Sequence, residues 1–163
     1  MARDSKKKAL IAFLFGYGKR ISEVIELTRS DVYLTDQYVE TTFKVLKRKP
    51  ESGILPVFSK RLSNEHYLAP FIKDHVEKIE EGYLFPGRSE GHISRMTAYR
   101  WLKKISDDLW PYLFRHSLAT LMAENGATAY ELKSFLDWKD IRTATKYVED
   151  TQGLSFKWIN REF

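Results

Sequence analysis

Four short stretches of this 163-residue chain carry side chains that a plain packing role does not require. In Gly18-Lys19-Arg20-Ile21-Ser22-Glu23 an arginine follows a glycine turn at a helix start, and an acid three residues later falls on the same face. In Tyr112-Leu113-Phe114-Arg115-His116 the phenol and the guanidinium share a face by their i, i+3 spacing. Leu136-Asp137-Trp138 is followed, nine residues past the tryptophan, by Tyr147. A fourth stretch, Lys47-Arg48-Lys49, concentrates positive charge in a predicted turn. A guanidinium is always charged and can hold two oxygens of an anion at once, while a phenol donates a hydrogen bond or, once deprotonated, attacks as a nucleophile. Taken singly, each feature has an ordinary reading. Tyr147 is a half-buried aromatic, Trp138 a core residue, Arg20 with Glu23 a surface ion pair, and residues 47–49 a solvated hairpin tip.

Read in order along the chain, the stretches resemble the catalytic domain of the tyrosine recombinases, the phage-integrase family. The family's glycine turn followed by R-x-S-E is matched by Gly18 to Glu23, with Leu27 and Asp31 in the usual following positions. Its H-x-L-R-H-[ST]-x-A-T block appears as Tyr112 to Thr120, and its L-G-[HW] block with a tyrosine nine residues beyond appears as Leu136-Asp137-Trp138 and Tyr147. A basic hairpin stands where the family carries a catalytic lysine. The resemblance runs from about Lys7 to Glu149. Two positions depart from it: Tyr112 stands for the usual His, and Asp137 for the usual Gly. Phenols titrate near 10 (roughly), so Tyr112 would shuttle protons poorly at neutral pH while still donating a hydrogen bond. The chain starts at the first catalytic-domain helix, so the DNA-clamping domain that family members carry before it is expected to be missing, as in a shortened fragment.

The resemblance implies DNA strand cleavage without metal or ATP, by attack of tyrosine on a phosphodiester to leave a covalent 3′-phosphotyrosyl link. Attack concentrates negative charge on the non-bridging oxygens, which Arg20 and Arg115 would neutralise. Tyr147 would be the nucleophile, its phenolate favoured by the arginines. A hairpin ammonium would protonate the departing 5′ oxygen; counting back from Leu55-Pro56 the site falls on Arg48, so a loop one residue longer or shorter puts it on Lys47, the expected acid, or on Lys49, the alternative. Trp138 would pack beside the phosphate, Tyr112 would contact it, Glu23 would orient an arginine, and His116 would support the fold around Arg115 or take up part of the role Tyr112 cannot fill.

The elements that must position these residues follow from periodicity. Helices are expected over Lys6–Phe15, from Ile21 through Leu27 to a stop at Ser30-Asp31, over Asn64–Glu81 and over Ser94–Asp107. Further helices are expected from Pro111 to Asn125-Gly126, from Thr128 (N-cap, with Glu131 completing a capping box) to Leu136, and over Ile141–Glu149. Val32–Leu34, Tyr38–Leu46 and Gly53–Phe58 read as a three-stranded antiparallel meander. The fold class is α+β, mostly helical with a small three-stranded antiparallel sheet, with one domain over 1–150 and an amphipathic tail over 151–163. The apolar residues Leu154, Phe156, Trp158 and Ile159 suit that tail to packing on a neighbouring protomer.

Composition narrows the remaining classes. A charge of +5 admits a polyanionic partner without requiring one. No cysteine is present, which removes disulfide scaffolds, thiolate metal sites and cysteine catalysis and fits a reducing compartment. His66, His75, His92 and His116 lack metal-ligand spacing, so no metal and no cofactor is expected, and the first three read as surface residues. The apolar run Ala9–Phe15 is too short to span a bilayer, so no membrane partner is expected. The expected partners are double-stranded DNA attachment sites and, by resemblance, three further copies in a tetramer. The expected setting is the cytoplasm of a prokaryotic host, on a viral, plasmid or other mobile element. The first alternative is a catalytically impaired DNA-binding module of the same fold; a helical protein-interaction domain and a strand-relaxing topoisomerase are the others.

Overall fold

The computed structural model describes residues 2–46 and 55–152, with side chains over 5–46 and 55–150. Lys47, Arg48, Lys49 and the tail beyond residue 152 lie outside the described residues. Among those described, seven α-helices accompany one three-stranded sheet: α1 Ala2–Gly16, α2 Ile21–Ile25, β1 Val32–Leu34, β2 Tyr38–Lys44, β3 Val57–Ser63, α3 Ala69–Val76, α4 Arg95–Lys103, α5 Pro111–Glu124, α6 Ala129–Phe135 and α7 Ile141–Gln152. The described residues fall into two compact units, one up to Tyr112 and one from Leu113 onward.

In the first unit, α1 is buried almost all round through Ala9, Leu10, Ala12, Phe13 and Leu14, and packs on α3 and α2. The sheet is an antiparallel meander in the order β1-β2-β3, as the β-rich runs imply. Its inner face is the alternate set Val39, Thr41 and Phe43 of β2. Tyr17 joins helix to sheet: its hydroxyl donates to the Val39 carbonyl at 2.9 Å and accepts from Thr41 Oγ1 at 3.1 Å. Burial pushes this phenol's pKa up, so it stays neutral.

Three expectations are corrected. The third strand is Val57–Ser63 rather than Gly53–Phe58, because the register pairs Lys44 with Val57 and Tyr38 with Ser63. As an edge strand it buries only Leu62, so its Ser, Lys and Arg residues do not betray it by hydrophobic alternation. The helix expected over Asn64–Glu81 is confined to Ala69–Val76, since Pro70 in its first turn fixes the start and residues 77–79 close in tighter turns.

The third correction is His75, which is buried at 2% exposure rather than on the surface. Its ring stacks on Phe85 at 5.2 Å, and its Nε2 donates to the Leu84 carbonyl at 2.8 Å. Burial lowers its pKa below the ordinary 6.5, the Leu84 hydrogen bond opposing and Lys6 and Lys78 assisting, with Asp74 opposing weakly. Between the folded value and 6.5 the unfolded chain therefore binds more protons, so stability falls as pH falls through that window. Asp74, Glu131 and Asp140, held below the usual carboxylate range by their hydrogen bonds, add losses of the same sign at more acid pH. Denaturant midpoints measured from pH 7.5 to 5 are expected to slope less in His75→Phe than in the parent chain; equal slopes refute this assignment.

In the second unit α5, α6 and α7 enclose a small core of Ala119, Ala123, Leu132, Leu136, Trp138 and Ala144. Gly126, at φ +90°, ends α5. Thr128 caps α6, with Glu131 accepting from the Thr128 N–H at 2.7 Å.

Candidate active site

Each unit carries one part of the predicted set. In the first unit, Gly18 adopts φ +60° and turns the chain so that Arg20 becomes the N-cap of α2 in extended conformation. Glu23 then reaches back, one carboxylate oxygen accepting from the Arg20 backbone N–H at 3.0 Å and the other from Arg20 Nη1 at 2.9 Å. Glu23 is buried and Arg20 partly so, which holds the guanidinium in one place. Lys19 is buried beside it, its Nζ 4.8 Å from the centre of the Phe43 ring.

Arg20 lines a cleft of about 460 Å³ together with Ser22, Glu26, Leu46, His92 and Arg95. A second cleft of about 640 Å³ is lined by Arg88, His92, Arg100, Trp101 and Lys104. Sequence reasoning missed these contributors. Helical periodicity reports only the apolar face of α4; the signal for these residues is the basic series Arg95, Arg100 and Lys103 of α4, with Lys104 at its C-cap.

In the second unit α5 turns two neighbouring residues in different directions. Arg115 lies on the face that continues through Ala119 and Ala123 and is 2% exposed, whereas His116 faces outward. Arg115 Nη2 donates to the carbonyl of Leu136, one of the orphan acceptors at the C-terminus of α6. That terminus is a Schellman turn: the Trp138 N–H bonds the Lys133 carbonyl at 3.0 Å and the Asp137 N–H the Ser134 carbonyl at 3.3 Å. Asp137 occupies its left-handed position at φ +51°, where the family has glycine. The departure thus leaves the turn in place, because Asp adopts this conformation more readily than most residues. Asp137→Val is expected to destabilise the chain by about 1–2 kcal/mol, since a β-branched side chain is strained at positive φ. A thermal midpoint unchanged from the parent's would contradict that cost.

The turn delivers Trp138 into the core, with the Arg115 guanidinium 5.6 Å from its ring centre. Asp140 accepts from the Arg142 N–H at 2.9 Å and starts α7, which carries Ala144, Tyr147 and Val148 inward at i, i+3 and i+4. Tyr147 stacks on Trp138 with centroids 5.3 Å apart and planes at 18°. Its hydroxyl meets His116 Nδ1 at 2.6 Å. Arg115, Trp138, Tyr147 and His116 therefore form one continuous cluster, and Arg20 and Glu23 form the other. Tyr112 lies in the first turn of α5 and is 55% exposed. The remaining predicted positions, Lys47 and its alternative Lys49, fall outside the described residues.

The phage integrase family model matches residues 2–153. The chain belongs to that family. It is 29% identical over 154 residues to the tyrosine recombinase XerD of Halalkalibacterium halodurans, an alignment covering 90% of this chain and 50% of that protein. Among solved structures it is similar to the XerH site-specific recombinase bound to a difH substrate in a pre-cleavage complex (TM-score 0.71, 15% identity, 97% of this chain and 48% of that one). It is also similar to the Tn1549 transposon integrase in complex with transposon right-end DNA (TM-score 0.64, 15% identity, 99% and 61%). At these identities the structural likeness establishes the fold, an α+β recombinase catalytic-domain architecture. The chain spans about half the length of the curated relatives it matches.

Proposed function

We propose that this chain supplies the strand-cleaving and rejoining chemistry of a tyrosine site-specific recombinase. The observation that carries the reading is the Tyr147 hydroxyl, held by a hydrogen bond to His116 and by stacking on Trp138, in a cluster that also contains the buried cation Arg115.

The phenolate of Tyr147 attacks the scissile phosphorus, forming a 3′-phosphotyrosyl bond as the 5′ oxygen leaves. Arg20 and Arg115 meet the charge that builds on the non-bridging oxygens; losing one such donor typically costs about 3 kcal/mol of transition-state stabilisation. Glu23 acts through Arg20, fixing its position. Lys47, or Lys49, protonates the leaving oxygen. Trp138 supports Tyr147 by stacking and donates its indole N–H to the phosphate. Tyr112, exposed at the start of α5, donates a hydrogen bond to a phosphate oxygen rather than a proton. The basic cleft around Arg88, Arg100 and Lys104 receives backbone phosphates of duplex DNA, and Arg95 extends that contact to the cleft that Arg20 lines.

The finer reading is that the protein integrates or excises a mobile element of viral or plasmid origin, working as a tetramer on two attachment sites in a prokaryotic cytoplasm. The apolar residues of the 151–163 tail support packing between protomers. Among the described residues no helix is long and apolar enough to cross a membrane.

The test is covalent trapping. Incubated without divalent metal with nicked duplexes carrying candidate attachment sites, the protein is expected to yield a DNA-linked band on a denaturing gel. DNA binding that weakens with salt but leaves no such band, in this chain and in a longer form carrying a clamping domain, would identify the impaired binding module instead.

A further inference from the structure

The proton on the Tyr147 phenol must leave before or during attack, and the residue that stands where the family has its histidine is Tyr112, whose phenol accepts protons poorly. Among the described residues, the imidazole of His116 touches the reacting oxygen. His116 Nδ1 lies 2.6 Å from Tyr147 Oη, within the range in which a general base takes a proton directly. The rings meet edge to face at 5.1 Å, so the contact is fixed by packing as well as by the hydrogen bond. We infer that His116 is the general base of this protein, accepting the phenolic proton at Nδ1 and so replacing the imidazole absent at position 112. The inference rests on the reading of Tyr147 as nucleophile.

The residues account for every proton. The neutral imidazole carries its hydrogen on Nε2, leaving the Nδ1 lone pair for the phenol, whose O–H donates. As the oxygen–phosphorus bond forms, the proton passes to Nδ1 and His116 becomes imidazolium. The departing 5′ oxygen takes a different proton, from the hairpin ammonium. On rejoining, the 5′ hydroxyl attacks the phosphotyrosyl bond and gives up its proton to that amine, while the leaving phenolate recovers its own from His116. An outward-facing imidazole suits this exchange because it can also re-equilibrate with solvent between turnovers.

Position along the helix explains why this histidine is available. Residues 112 and 116 are one turn and a fraction apart on α5, so a base can move from the first to the second and stay on the same side of the helix. Arg115, between them, is turned into the core and is unaffected by the exchange.

The decisive comparison is single-turnover adduct formation on nicked duplex by the parent chain, His116→Gln and His116→Ala. Glutamine can keep a hydrogen bond to the phenol but cannot take its proton. Both variants are expected to be slower by about 10²–10³-fold, with added imidazole restoring part of the rate in His116→Ala. A second duplex with sulfur in place of the bridging 5′ oxygen has a leaving group that needs no proton. On it the deficit of His116→Gln should persist. Unchanged rates in His116→Gln, or recovery of parental speed on the sulfur substrate, would overturn the inference while leaving Tyr147 as nucleophile. The ground-state contact is tested without any reaction by ¹⁵N spectra of the histidine rings. Nδ1 of His116 should be the unprotonated nitrogen, with a resonance that moves in Tyr147→Phe; a proton on Nδ1 refutes the base. If neither the parent chain nor a longer form carrying a clamping domain forms an adduct while the ring spectra are as expected, the recombinase reading fails and the hydrogen bond stands as a structural contact only.

Discussion

Tyr147→Phe is expected to abolish the DNA-linked adduct while leaving the chain folded and able to bind DNA. The substitution removes one oxygen. It keeps the ring that stacks on Trp138 at 5.3 Å, so the second-unit core is not opened. What is lost is the hydrogen bond to His116 and, with it, the atom that attacks phosphorus. Removing a nucleophile costs on the order of 10⁴–10⁶ in rate in enzymes where it has been measured. The thermal midpoint should move by only a few degrees, corresponding to about 1 kcal/mol for an exposed hydrogen bond. An adduct of undiminished yield in Tyr147→Phe would show that a different residue attacks.

Arg115→Ala should have the second largest effect, and it should act on stability and chemistry together. The guanidinium is buried, caps the Leu136 carbonyl at the end of α6 and lies against the Trp138 ring. Truncation leaves that carbonyl without the guanidinium donor, removes the cation–ring contact and opens a space next to the Schellman turn. Together these are expected to cost about 3 kcal/mol and lower the melting temperature by roughly 10 °C. Measured well below the transition, where the variant is folded, adduct formation should still fall by about 10²–10³-fold for want of one phosphate donor. Arg115→Lys separates the two effects. It keeps a charge but not the planar fork, so it should recover part of the stability and less of the rate. Full activity in folded Arg115→Ala would remove this arginine from the chemistry and leave it as a helix cap.

The two variants bear on different links of the same chain of cause. Tyr147 reaches the cluster because α7 begins at the Asp140 cap and turns Ala144, Tyr147 and Val148 to one side. Arg115 reaches it because it lies on the inner face of α5 that continues through the buried Ala119 and Ala123. Local sequence rules foresaw both helices, including the Pro111 start, the Gly126 stop and the Thr128–Glu131 capping box. The same rules misplaced β3, whose edge position buries a single side chain, and overextended α3, where Pro70 overrode an otherwise continuous apolar period. They also put His75 on the surface, because a histidine in a charged helix reads as polar until its partners, the Leu84 carbonyl and the Phe85 ring, are known.

The sequence by itself determined the family of this chain, its α+β class and the identity of the residues at the motif positions, since these depend on residue types at short, ordered intervals. Helical spacing likewise reports which residues share a face of one element. It does not report what the face meets. Only the tertiary structure decided that Glu23 closes on Arg20 through both its oxygens, that Arg115 ends α6, and that Asp137 completes the turn usually made by glycine. It alone brought His116 to the phenol of Tyr147, 31 residues away. The physical reason is that hydrogen bonds and ring contacts are set by distances of a few ångströms between elements, and those distances depend on how the side chains of the whole unit pack.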